Sequence, residues 1–197
     1  MDRPSGMSTA LRLTLGEYDQ MIADGAFETL RDRRIELIHG ELREMTPPGP
    51  DHACAVDWIQ QWSVYSPPRA QVRVRVQNPI GIPPSDSEPE PDICWVKPGK
   101  YRQRHPRPEE VLLVVEVADS SLDYDMGEKA DLYAAAGIAD YWVVNLPGRC
   151  VDVFRSPASG KYAEHTTHPM GQEIRPLAFP EVILSTTELF TTGPMEE

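Results

Sequence analysis

The run Val111-Leu112-Leu113-Val114-Val115, followed by Glu116-Val117, constrains this chain more than any other segment. Uninterrupted apolar residues cannot alternate between a core and water, so they predict a strand covered on both faces, as at the centre of a mixed or parallel sheet. Glu116 interrupts that run. A carboxylate facing an interior needs a cation or several hydrogen-bond donors to offset its lost hydration. The expectation is an α/β fold with an acid built into its central sheet.

The flanking segments supply partners for such a strand. Residues 14–23 predict a helix with Thr14 as N-cap, Glu17 completing a capping box and Gly25 just past its end. Residues 34–38 and 41–45 alternate charged and apolar side chains about His39-Gly40, the pattern of a β-hairpin. A proline-rich break at 46–50 precedes residues 52–65, where Ala55, Trp58, Ile59 and Trp62 recur at helical spacing. In 71–76 the valines 72, 74 and 76 share one strand face and Arg73 and Arg75 the other. A loop rich in proline and acid, 83–91, leads into a short apolar strand at 92–96, and a charged loop, 97–110, leads into the central run.

Residues 123–136 predict a helix ending at Gly137, although Met126, Ala130, Leu132, Tyr133 and Ala136 fit a single buried stripe only loosely. Strands at 141–146, 150–154 and 162–166 follow, and Ser185 with Glu188 forms a capping box that opens a short last helix. A length of 197 residues suits one sizeable core, so one domain is expected over 11–190, with flexible ends at 1–10 and 191–197.

Composition narrows the function classes. No apolar run approaches the roughly 18 residues of a membrane span, and the first residues lack a secretion-signal pattern, so a soluble, cytoplasmic protein is expected. Cys54, Cys94 and Cys150 are odd in number and far apart, which favours core thiols over disulfides or zinc ligands. The net charge of −12 argues against a general polyanion-coating protein. Basic residues do crowd the middle of the chain, from Arg69, Arg73 and Arg75 to Arg104 and Arg107. They read equally as a local phosphate-binding surface or as ordinary solvated side chains.

Chemistry concentrates where Asp92 opens one short apolar strand and Glu116 lies near the end of the next, with Lys129 on the helix that follows. Adjacent strands can bring two such carboxylates together, and hard divalent cations take oxygen ligands while keeping positions for water and phosphate. That set suits metal-assisted phosphodiester hydrolysis, with a lysine orienting the nucleophile or stabilising the transition state. The same spacing also fits an acid at a solvated strand edge, and Lys129 a surface lysine paired with Asp125 or Glu128.

Several segments together resemble the Uma family of proposed restriction endonucleases. They are Pro91-Asp92-Ile93; Leu113 through Glu116 to Ser121; Lys129-Ala130-Asp131-Leu132-Tyr133; and Gly137-Ile138-Ala139-Asp140-Tyr141-Trp142. The hairpin Ile35-Glu36-Leu37-Ile38-His39-Gly40-Glu41-Leu42 and the segment Pro47 to His52 match the family's opening signature. The likeness covers about residues 11–190 and places the chain in the PD-(D/E)xK nuclease superfamily, which implies a restriction-endonuclease-like mixed β-sheet flanked by helices.

The resemblance implies Asp92 and Glu116 as metal-binding carboxylates, Glu36 as a supporting acid, and Mg²⁺ as the metal, with Mn²⁺ as substitute. The family's usual lysine position holds Ala118, so the role passes to Lys129, whose spacing to Tyr133 resembles the Gln-x-x-x-Tyr helix motif of RecB-like relatives. Four residues apart on a helix, the two share a face. His52 matches the family histidine and is an accessory candidate, or else a cap or core histidine. Arg73 and Arg75 are candidate nucleic-acid contacts.

The leading expectation is thus a Mg²⁺-dependent endonuclease acting on DNA, cytoplasmic and homodimeric, with no membrane partner. Ala118 and the acidic net charge favour an alternative, a nuclease fold without catalysis that serves as an interaction or regulatory module. A small-molecule enzyme would instead need a closed apolar pocket.

Overall fold

The computed structural model describes residues 10–30 and 33–191. Helix α1 (Leu15–Ala23) opens with the expected reciprocal cap between Thr14 and Glu17. Strands β1 (Arg34–Ile38) and β2 (Glu41–Met45) form the hairpin. His39 and Gly40 both take positive φ at its turn, the two-residue geometry whose twist matches the strands. Gly40 has a second constraint, since a Cβ there would meet the Leu13 carbonyl oxygen at 2.8 Å.

Helix α2 (Pro50–Tyr65) buries Ala55, Ile59 and Trp62 as their spacing predicts. Then come β3 (Arg73–Val76), β4 (Ile93–Val96), β5 (Val111–Ala118), a short turn of helix α3 (Leu122–Tyr124), a π-turn at Asp125–Lys129, and α4 (Ala130–Ala135). Strands β6 (Asp140–Asn145), β7 (Cys150–Ala158) and β8 (Lys161–Pro169) follow, then β9 (Glu173–Ile174), β10 (Leu184–Ser185) and α5 (Thr186–Thr191).

The main sheet has the order β3-β4-β5-β6-β7-β8, antiparallel except for the parallel β5–β6 pair. The central strand is β5, and both its faces are covered as its apolar run requires. Leu113, Val115 and Val117 join α2 and α5 around Trp62, Trp95 and Trp142. Val114 and Ala118 join α4 around Tyr133 and Tyr141. No helix of the described residues is long and apolar enough to cross a membrane, and no disulfide links the three cysteines.

Several expectations change in detail, and the strands expected at 150–154 and 162–166 lengthen to Cys150–Ala158 and Lys161–Pro169. The strand over 71–76 narrows to Arg73–Val76. Helix 123–136 is interrupted by the π-turn, whose extra residue shifts the phase of the apolar stripe and accounts for its loose fit. The acidic loop 83–91 is largely withdrawn from water: Ser87 and Glu88 are buried, and Glu88 N donates to Leu37 O at 2.6 Å. That loop clamps the hairpin against the main sheet. The flexible ends expected at 1–10 and 191–197 lie outside the described residues, apart from Ala10 and Thr191.

Candidate active site

Register places the two carboxylates. The antiparallel pairing of Ile93 with Val115 sets Asp92 opposite Glu116, and Asp92 N donates to Glu116 Oε2 at 3.2 Å. Alternation along β5 points Glu116 to the α4 side of the sheet. There Lys129 Nζ donates to Glu116 Oε1 at 3.0 Å and the Tyr133 hydroxyl donates to the same oxygen at 2.9 Å. Lys129 and Tyr133 therefore do share a helix face directed at Glu116. Lys129 is 1% exposed, which excludes the solvated surface lysine.

Glu36 reaches the same place from the hairpin. Its Oε1 accepts from Lys129 Nζ at 3.2 Å and from Glu90 N at 2.7 Å, so the clamped loop fixes the acid that β1 supplies. Asp92 Oδ2 accepts from Val117 N at 2.9 Å and meets His52 Nε2 at 3.1 Å, and Asp92 Oδ1 accepts from Gln77 Nε2 at 3.1 Å. Glu36, His52, Asp92, Glu116 and Lys129 line one cavity of about 330 Å³, together with Asp125. Tyr133 stands behind Glu116, wholly buried among apolar neighbours, so it serves both core and site.

The electrostatics follow from burial opposed by charge. Burial pushes the Glu116 carboxyl up to about 8, with Lys129 opposing and Asp125, Asp92 and Glu36 adding. Burial likewise raises Asp125 to about 6 against the pull of Lys129. Asp92 behaves differently: burial acts to raise it, but the His52 contact and the Val117 and Gln77 donors outweigh that and hold it below the ordinary carboxylate range. The Asp92 contact in turn raises His52. Burial works against the Lys129 ammonium, yet Glu116, Glu36 and Asp125 outweigh it and keep the charge.

The donor set suits a hard cation in kind, because oxygen ligands predominate and no cysteine lines the cavity. Among the described residues, no three His, Cys, Asp or Glu side chains are gathered to close a ligand set. Asp92 and Glu116 would hold an ion only with water or phosphate oxygens in its remaining positions, as Mg²⁺ commonly is held.

Arg73 and Arg75 are not brought to this cavity. They lie on the edge strand β3, each guanidinium 5.9 Å from the ring centre of Tyr101. Part of the surrounding basic cluster is committed to structure, since Arg104 forms a two-pronged pair with Glu110 at 2.7 and 2.9 Å. Sequence reasoning missed Arg34, Gln77 and Tyr124 at or beside the site and treated Asp125 only as a surface partner. Arg34 had a legible signal, two residues before Glu36 and so on the same strand face.

A six-stranded mixed sheet flanked by helices, with paired carboxylates at the adjoining ends of β4 and β5, defines a restriction-endonuclease-like fold. In agreement, the profile of the Uma2 family, described as "Putative restriction endonuclease", matches residues 15–187, and the chain belongs to that family. Among solved structures, it is similar to "a putative nuclease belonging to DUF820" from Anabaena variabilis, at TM-score 0.68 and 15% identity over 90% of this chain and 97% of the other. None of the curated proteins matches. Family and fold together support a nuclease.

Proposed function

We propose that the chain is a Mg²⁺-dependent endonuclease that hydrolyses phosphodiester bonds of DNA, with Mn²⁺ able to replace Mg²⁺. One observation carries this reading: Glu36 from the hairpin, Asp92 just before β4, Glu116 on β5 and Lys129 in the π-turn ahead of α4 converge in one cavity with the ammonium between two carboxylates. Chain segments so far apart meet around buried charge at a desolvation cost, and a site is a reason to retain that arrangement.

Asp92 and Glu116 would hold the ion through carboxylate oxygens. An ion held there would supply an acidified water and neutralise charge on the scissile phosphate. The protein's own groups set the geometry. His52, Gln77 and Val117 N fix the Asp92 carboxylate, Tyr133 fixes Glu116, and Glu36 steers the Lys129 ammonium toward the attacking oxygen. Lys129 thereby takes the part of a lysine at position 118, where Ala118 is wholly buried in the α4-side core.

That buried alanine also favours the alternative of a fold kept without catalysis. Incubation with supercoiled plasmid, single-stranded DNA and RNA in Mg²⁺, Mn²⁺ or EDTA separates the two. Metal-dependent nicking of DNA is the expected result; folded protein that leaves every substrate intact assigns the chain to the non-catalytic module. A cytoplasmic homodimer goes with the nuclease reading, since cutting two strands calls for two sites, and sedimentation velocity tests the assembly.

A further inference from the structure

Three buried side-chain polar atoms without a hydrogen-bond partner belong to residues lining the candidate active site: Arg34 Nη2, His52 Nδ1 and the Tyr124 hydroxyl oxygen. Leaving such a donor unmatched is costly, and at a cavity wall a ligand can supply the missing acceptor. The cationic residues of this cavity differ in how far they are committed. Lys129 is held by Glu36 and Glu116. Arg43, on the same hairpin face, donates from Nη2 to Glu41 Oε2 at 2.8 Å and to Glu128 Oε1 at 3.3 Å. Arg34 Nη2 instead faces Glu90 Oε2 at 3.6 Å, within reach of its charge but beyond hydrogen-bond length.

Position favours Arg34 as well. It stands two residues before Glu36 on β1, so both side chains leave the strand on one face. Its side chain is 27% exposed and lines the cavity. Arg34 and His52 also feel each other's charge, and His52 uses Nε2 on Asp92 while Nδ1 remains unmatched. In a cavity walled by Glu36, Asp92, Glu116 and Asp125, a phosphodiester needs a positive group with a donor to spare, and Arg34, though its charge is paired with Glu90, keeps the Nη2 donor unmatched.

We propose that Arg34, with His52 Nδ1 in the same cavity lining, forms the phosphate-binding subsite of this cavity, the guanidinium holding a non-bridging oxygen of the nucleic-acid backbone. This deepens the nuclease reading and rests on it for the bond that is cut, whereas binding of the phosphodiester can be measured separately. Arg34 positions the substrate and takes no proton.

The test compares wild type with Arg34→Gln, Arg34→Lys and Arg43→Gln, each checked for folding by circular dichroism. Two quantities are read: KM and kcat for cleavage of a single-stranded DNA oligonucleotide in Mg²⁺, and the salt dependence of its binding in EDTA. Arg34→Gln is expected to raise KM and Kd about tenfold or more with kcat changed far less, and to lower the slope of log K against log salt by about 1. Arg34→Lys should recover the slope but only part of the affinity, which also covers the case in which the glutamine variant does not fold. Arg43→Gln should resemble wild type. A folded Arg34→Gln protein with wild-type KM and slope overturns the subsite while leaving the nuclease standing. Oligonucleotide binding that depends on Arg34 without any cleavage overturns the nuclease and keeps the subsite; wild type that neither binds nor cleaves overturns both.

Discussion

Lys129 and Glu88 show two ways in which this fold carries a buried charge. Lys129 is surrounded by carboxylates from other elements, and breaking such a set by removing one member costs far more than the set contributes to stability. It is therefore better explained by the site than by folding. Glu88 has no such compensation. It is 3% exposed, with His105 Nε2 at 3.7 Å, and burial with the nearby Asp19 charge pushes its carboxyl up to about 7 against the pull of Arg107. A carboxyl raised in the folded state gives stability that is complete below its unfolded value near 4.5 and is lost as pH rises through about 7. Glu88→Gln should remove that loss. Urea unfolding at pH 5 and pH 8 should find the variant's advantage larger at pH 8 by about 1–2 kcal/mol, after allowance for solvent screening. An equal difference at both pH values would mean that Glu88 ionises in the folded protein as freely as in water.

At the scale of elements, the helices, the hairpin and the strands were legible because each carries a local signal: the Thr14–Glu17 cap, the His39-Gly40 turn, the two-sided apolar run of β5. The meeting of Asp92 and Glu116 was legible because adjacent short strands bring their ends together. What stayed hidden was non-local. Nothing in 83–91 announces that its acids turn inward to hold the hairpin, because that depends on Leu37 O and Glu36 Oε1 receiving its amides. The π-turn was equally silent, although the loose stripe over 123–136 was its trace. Gly127 lies in that turn with no heavy atom within 4 Å of where a Cβ would stand. Gly127→Ala is accordingly expected to stabilise the protein by about 0.5–1 kcal/mol through reduced freedom of the unfolded chain. Thermal unfolding checks this, and a loss of stability would show that the turn needs the glycine.

For the whole molecule, the net charge of −12 means that any nucleic acid must approach a largely repelling surface through a local basic path. Arg73 and Arg75, beside Tyr101 and away from the cavity, are the candidates for such a path. Reversing both to glutamate should weaken DNA binding and flatten its salt dependence by about 2, one for each lost phosphate contact. Unchanged binding would remove that strand face from the path.

The central claim is that Asp92 and Glu116 seat a catalytic divalent ion, and cleavage rate against Mg²⁺ concentration tests it most directly. Wild type should be inert in EDTA, rise to saturation with Mg²⁺ and recover when the ion is restored, while a folded Asp92→Asn protein should stay flat across the titration. Cleavage by Asp92→Asn with the metal dependence of wild type, or a folded wild type inert at every Mg²⁺ concentration, would contradict the account.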